Sequence, residues 1–302
     1  MRKSISRLWC GLMVAAVILS AGLSSGPLGL EWMKVSARTN FELVSGAMSK
    51  AGAPLDPFHR VAVGTITTVN AFSYVSGPLA LESIVAAFGS GLSNSTVSAP
   101  AGPLPTTLGG TAVVILDSLG LMREAGIFFV SPTQINHQIP PGTPLGPATL
   151  IYTNTVSGER FFLDIEVSNV SPGLSTANSS GSGIANAFVL RVRADGTQNY
   201  EPVFEVNQGQ VQAVPIDLGL STDKVYLGLL GTGFRYRSAL SAVTAAVGGT
   251  SCEVSYAGSQ MQNIGLDQAN VLLSRSLAGR GLVNVAMTVD GKPTNVVQIN
   301  IR

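Results

Sequence analysis

The sequence predicts an all-β protein, two antiparallel β-sandwiches in tandem behind a leader, on three observations. Only 12% of the 302 residues are charged, against about 25% in an average soluble domain, so Ser, Thr, Asn, Gln and backbone must supply most of the polar surface. With 34 Gly and 16 Pro the chain is too rich in helix breakers for long bundles and carries the punctuation of many short strands. From Val61 onward, short runs of β-branched, aromatic and apolar residues alternate with Gly, Pro, Asn and Asp, the pattern of a sandwich.

The elements follow in chain order. Arg2, Lys3 and Arg7 precede an uninterrupted apolar and small-residue stretch, Leu8 to Leu23, which closes on Ser24, Ser25 and Gly26. That order is n-region, h-region and cleavage region, so residues 1–25 are expected to be a signal peptide and the protein secreted or held at the cell surface. Trp9 to Leu23 would reach about 22 Å as a helix against about 30 Å of hydrocarbon, short for a spanning anchor. Cleavage, with no membrane span remaining, is therefore the first expectation and an uncleaved N-terminal anchor the second. Residues 26–60, with Pro27, Pro54 and Pro57 at their ends, read as a spacer. Beyond the leader, 15 Lys and Arg face 17 Asp and Glu, which argues against a nucleic-acid partner.

Strands are expected at Ser83–Phe88, Thr111–Leu116, Ile127–Val130, Thr149–Thr153, Phe161–Val167, Ala187–Arg193, Pro202–Val206, Val211–Pro215, Val225–Leu230, Ala242–Val247, Val254–Tyr256, Leu282–Val289 and Val296–Ile301. Asp195-Gly196, Asp290-Gly291 and Ser157-Gly158 supply hairpin turns. An internal repeat organises these runs. Phe88-Gly89-Ser90-Gly91-Leu92 matches Leu230-Gly231-Thr232-Gly233-Phe234, and Leu108-Gly109-Gly110-Thr111 matches Val247-Gly248-Gly249-Thr250. Gln134-Ile135-Asn136 matches Gln268-Ala269-Asn270, and Thr155 to Gly158 matches Thr288 to Gly291, at offsets of 133 to 142 residues. The implied boundaries are a first sandwich at 61–170, a Ser/Gly/Asn linker at 171–186, and a second at 187–302 that opens with an extra hairpin, Ala187 to Pro215. Each copy has the size of an immunoglobulin-like domain.

The landmarks have structural readings. Gly-x-Gly permits positive φ where a strand leaves its sheet, Gly-Gly-Thr opens a strand, and the Gln-x-Asn amides bridge neighbouring loops. The functional alternative is that Gln134, Asn136, Gln268 and Asn270 contact saccharide hydroxyls. Phe234-Arg235-Tyr236-Arg237-Ser238, two aromatics interleaved with two arginines, is the best candidate binding patch, through stacking and cation–π contact; its plain alternative is packing on the neighbouring domain.

Catalytic chemistry is poorly represented. The chain has two histidines, His59 in the spacer and His137 at or near a strand, too few for a histidine metal centre. Gly22-Leu23-Ser24-Ser25-Gly26 spells a nucleophile elbow but lies in the leader. Asp164 and Glu166 share a strand face, the ordinary place for solubilising charge. Cys10 lies in the leader and Cys252 in an alternating strand, where a small half-buried residue is expected. No catalytic residue, cofactor or metal is expected. The expected function is a non-catalytic module binding an envelope protein or a polysaccharide, with self-association as a structural envelope component the alternative and a carbohydrate-active hydrolase further behind.

From Ala71-Phe72-Ser73-Tyr74, Gly77 to Ala80, Ser83-Ile84-Val85, Phe88 to Leu92, Leu104 to Gly110, Phe128 to Asn136, Gln268 to Val271 and Leu277-Ala278-Gly279, residues 61 to 302 resemble the uncharacterised Solibacter-type C-terminal domain of secreted Acidobacterial proteins. Each copy is also similar to IPT/TIG immunoglobulin-like domains. The resemblance implies fold and compartment without an activity. In that family the region follows a larger domain such as a propeller, and a proline-rich loop stands where this chain has Phe234 to Ser238.

Overall fold

The computed structural model describes residues 65–302; the leader, the spacer, Cys10 and His59 lie outside the described residues. The first unit has eleven strands: β1 (Thr67–Asn70), β2 (Leu79–Ala80), β3 (Ile84–Phe88), β4 (Val97–Ser98), β5 (Thr107–Leu108), β6 (Thr111–Leu116), β7 (Met122–Glu124), β8 (Ile127–Val130), β9 (Gln134–Gln138), β10 (Gly146–Asn154) and β11 (Arg160–Ser168). One layer runs β1-β3-β9-β8-β4; the other runs β2-β11-β10-β6-β5, with β7 on β6. Alternation places Val113, Ile115, Leu150, Tyr152 and Phe161 between the layers, where each is essentially inaccessible. Large apolar side chains buried from both layers make the sandwich hold.

The second unit contains β12 (Gly173–Leu174), β13 (Ala187–Val192), β14 (Gln198–Pro202), β15 (Phe204–Asn207), β16 (Gln210–Ala213), β17 (Lys224–Thr232), β18 (Val243–Val247), β19 (Thr250–Ser259), β20 (Asp267–Leu272), β21 (Gly281–Val289), β22 (Lys292–Pro293) and β23 (Val297–Ile301). Its strand path is β14-β13-β17-β20-β19-β18-β21-β22, with β23 on β21 and β12 on β17. The ten-residue β19 serves both layers: Thr250–Cys252 pairs with β18, Glu253–Ser259 with β20, and a bulge between Val254 and Tyr256 marks the bend. A bulge raises local twist, which lets one strand turn from layer to layer. A separate core, including Val189, Leu227, Val271, Met287 and Ile299, fills this unit.

Most expected strands form, several longer than their apolar runs. Two central strands, β9 and β20, are not among those expected, because the amides of Gln134-Ile135-Asn136 and Gln268-Ala269-Asn270 read as bridges between loops. All five residues of β9 are buried. The Gln-x-Asn amides therefore do not bridge loops; each glutamine donates to the asparagine two residues on along its own strand, Gln134 Nε2 to Asn136 Oδ1 at 2.9 Å and Gln268 Nε2 to Asn270 Oδ1 at 2.7 Å. The repeat is real at this point, since Phe88 pairs with Gln134 as Leu230 pairs with Gln268. At Gly-Gly-Thr it holds only for the turn. Leu108↔Thr111 and Val247↔Thr250 both close two-residue turns with positive φ at both glycines, the geometry that matches strand twist. In the first unit, however, the strand after the turn pairs with β10, and in the second the strand before it pairs with β21.

Two expected boundaries change. Residues 171–186 are not a free linker: Leu174 is fully buried in the second core, β12 joins β17, and Thr176 bridges Ala185. Asn295 clamps the segment, accepting from Leu174 N at 2.7 Å and donating to Leu174 O at 2.9 Å and Gly181 O at 2.8 Å. Ala187 to Pro215 is not one extra hairpin either. β13 belongs to the main sheet between β14 and β17, and β15 with β16 forms a second, separate hairpin.

His137 is sealed in the first core with its Nε2 2.9 Å from Tyr152 Oη. Burial pushes its pKa down to about 4 and that of Tyr152 up. The unfolded chain, with a histidine pKa near 6.5, thus takes up the proton first, so the stabilisation is complete above about 6.5 and is lost as pH falls toward 4. Relative to His137→Gln, the wild type is expected to lose about 3 kcal/mol across that window, read by urea unfolding at successive pH values. Among turn glycines, Gly109→Ala is expected to cost about 2–3 kcal/mol, because its φ is +54° and a Cβ would stand 2.6 Å from Ser95 Oγ and 2.8 Å from Val130 Cγ2. Gly249→Ala, with φ +78° but open space around it, should cost about 1 kcal/mol, measured by the same unfolding curves.

Candidate functional site at the junction

The loop expected to bind a ligand lies where the two units meet. Phe234 is fully buried in the second core, anchoring the loop by its largest apolar side chain. Arg235 donates from Nε to Asp267 Oδ1 at 2.7 Å, from Nη1 to Glu82 Oε2 at 2.9 Å and from Nη2 to Leu266 O at 3.0 Å. Tyr236 donates its hydroxyl to the other oxygen of Glu82. Glu82 belongs to the first unit, so Arg235 and Tyr236 are committed to holding the units together.

Asp267 organises this loop. Its side chain is fully buried, and besides Arg235 Nε it accepts from Phe234 N at 2.7 Å and Arg235 N at 3.1 Å. Burial raises its pKa to about 6 against the pull of Arg235 and the two amides. Beside it Thr232 Oγ1 accepts from Ile84 N at 2.9 Å and donates to Gly265 O at 2.7 Å, satisfying a donor in one unit and an acceptor in the other. Phe72, Ile84, Phe128 and Leu266, with Leu230 and Leu104 against them, form a small apolar cluster across the same boundary.

The Gly-x-Gly motifs do steric work here. A Cβ on Gly233 would lie 2.2 Å from Ser171 O, and one on Gly231 2.5 Å from Gly173 O. Both glycines make room for the chain arriving from the first unit, which hydrogen-bonds through Ser171 N to Gly233 O at 2.9 Å. Gly89 stands in the same relation to Thr65 O, 3.1 Å from its would-be Cβ.

The remaining candidates separate. Gln134 and Asn136, with Phe72 and Tyr74 of the first unit and Ser175 and Thr176 of the second, line a junction crevice of about 10 Å³, room for one water. Buried Gln268 and half-buried Asn270 lie on the outward side of β20, where Gln268 pairs with Gly258 and Arg237 Nη1 stands 3.2 Å from where a Gly258 Cβ would be. The catalytic candidates are not brought together: His137 is inaccessible, while Asp164 and Glu166 are exposed on β11 in the other layer, Asp164 accepting from Thr149 Oγ1 at 2.8 Å. Cys252 faces the second core. Among the described residues no group of His, Cys, Asp and Glu has the arrangement of a metal site, and no helix is long and apolar enough to cross a membrane. Sequence reasoning missed Glu82, Thr232 and Asp267. The one available signal was that Asp267 stands where the first copy has Thr133.

No family model matches the chain and no curated protein matches it. Among solved structures, a tandem of Ig domains from titin is 11% identical over 75% of this chain and 94% of that one, with a TM-score of 0.20. An endo-fucoidan hydrolase of glycoside hydrolase family 107 is 9% identical over 79% of this chain and 44% of that one, with a TM-score of 0.17. At those scores neither overlay bears on activity, and the immunoglobulin-like description rests on the layered strand order itself.

Replacing Arg235 by Ala is expected to destabilise the protein by about 3–5 kcal/mol, because it leaves Asp267 a buried charge without a counter-ion. Thr232→Val leaves Ile84 N and Gly265 O unpaired and should cost about 2 kcal/mol. Tyr236→Phe, at an exposed ring, should cost under about 1 kcal/mol. Calorimetric melting checks the order of the three.

Proposed function

We propose that this chain is a secreted or cell-surface, non-catalytic interaction module whose two sandwiches act as one body and present their outer surfaces to an envelope protein or polysaccharide. The observation that carries the reading is the junction: Arg235, Tyr236, Thr232 and the Phe72–Ile84–Leu266 cluster join the units through side chains of both. A rigid pair of domains holds distant surface groups in constant register, which favours recognition of an extended ligand by limiting the entropy lost on binding. The burial of His137 away from Asp164 and Glu166 supports the non-catalytic part. The leader-like N-terminus and the resemblance to secreted Acidobacterial domains and IPT/TIG domains support the compartment.

One observation favours self-association as a second reading. Leu119, Leu121 and Leu145, on loops beside β7, and Met122, its first residue, are about half to three-quarters exposed, and Asp117 holds the 118–121 loop in place by accepting from Leu119 N and Leu121 N, each at 2.9 Å. Glycan arrays and envelope-fraction pull-downs with the wild-type protein test the first reading, and sedimentation velocity over a hundredfold concentration range tests the second. Specific retention of a glycan or envelope protein by a concentration-independent monomer is the expected result; association without any ligand would reverse the order.

A further inference from the structure

Arg237 is the residue the junction leaves over. Its Nε is buried without a hydrogen-bond partner, the only such side-chain atom among the described residues, and its guanidinium forms no ion pair among them. The carboxylates that its loop meets are taken by other residues: Glu82 and Asp267 by Arg235 and Tyr236, and Asp290 by Ser238 N at 2.9 Å and Ser238 Oγ at 2.7 Å. A half-buried cation with an unsatisfied donor is costly for the fold to maintain.

Arg237 Nε is out of reach of any ligand; the surroundings of Nη1 indicate what the outer nitrogens would bind. Ala257, Ala269 and Val271 of β19 and β20 face the core, so the paired residues Gly258↔Gln268 and Tyr256↔Asn270 face outward. Gly258 has no side chain, and Arg237 Nη1 and Tyr256 Oη occupy that space, 3.2 and 3.1 Å from where a Cβ would stand. Across the same face, Asn270 pairs with Gly228 of β17, which is covered by the ring of Phe188. A guanidinium, a phenol that donates to Ser259 O, the half-buried Asn270 amide and a phenyl ring thus share one sheet face, with the Gln268 amide buried beneath and donating to Asn270. Guanidinium groups bind carboxylate and sulfate in bidentate fashion, while aromatic faces and amides suit sugar rings and hydroxyls.

We infer that Arg237, over Gly258 and beside Tyr256 and Asn270, is the anion-binding centre of a polysaccharide site on the outer face of the second sandwich, and that its ligand is a carboxylated or sulfated glycan. The inference rests on the polysaccharide arm of the proposed function and narrows it. Affinity electrophoresis of the full chain through polygalacturonate, dextran sulfate and neutral dextran tests it, with Arg237→Gln, Arg237→Lys and, as a control for unspecific charge, the exposed Arg193→Gln. The expected result is retardation by an acidic polymer but not by dextran, weakened at least tenfold in Arg237→Gln, partly kept in Arg237→Lys, and unchanged in Arg193→Gln, with no variant melting below the wild type. Equal retardation of wild type and Arg237→Gln would overturn the site while leaving polysaccharide binding standing. Equal weakening by Arg193→Gln would reduce the effect to net charge and overturn the site too. No retardation of the wild type by any polymer would overturn both the site and the polysaccharide arm, leaving the protein-partner arm to the pull-downs.

Discussion

The burial of one carboxylate, Asp267, sets the conditions for the rest of the molecule. A charge taken out of water must be matched by hydrogen bonds and a counter-ion, and the matching groups are two amides of the Phe234–Arg235 turn and the guanidinium of Arg235. Once Arg235 is fixed on Asp267, its remaining nitrogens point at Leu266 O and at Glu82 of the first unit. The position of the first sandwich relative to the second thus follows from how the second satisfies a charge of its own. Thr232 and the Phe72–Ile84–Leu266 cluster exclude water from the same boundary, which strengthens the electrostatic part.

Much of the repeat is explained by problems both units share. Each needs a polar central strand whose glutamine and asparagine satisfy one another, and each needs glycines where an arriving chain passes close to a strand. Where the copies diverge, the divergence serves the junction: Ser90 becomes Thr232, whose hydroxyl links the units, and Thr133 becomes Asp267. The Gly-Gly turn shows the opposite case, because the same two residues make the same turn at different places in the strand order. A two-residue turn depends only on its own φ values, not on which neighbour the strand later pairs with.

A loop of aromatic and cationic residues also serves two purposes at once. Three of its four large side chains are used internally, Phe234 for packing and Arg235 and Tyr236 for the inter-unit bonds, and this rigidity fixes Arg237 over the neighbouring sheet face. A group held by a braced scaffold loses little freedom when a ligand arrives, so the structural and binding readings of this loop are compatible.

What the sequence by itself determined was the all-β class, the order of most strands, the hairpin turns and the existence of a repeat, because these depend on alternation over a few residues and on the φ preferences of Gly and Asp. It was misleading where burial and polarity part company: Gln134-Ile135-Asn136 and Gln268-Ala269-Asn270 read as loop bridges and form central strands, and Ser171 to Gly183 looks like a linker and is packed. Only the tertiary structure decided that Glu82 and Arg235, 153 positions apart, form a pair, that Thr232 serves both units, and that Arg237 has no counter-ion among the described residues. These outcomes depend on which charges meet across a boundary between two folded bodies, and such long-range pairings leave no periodicity in the chain.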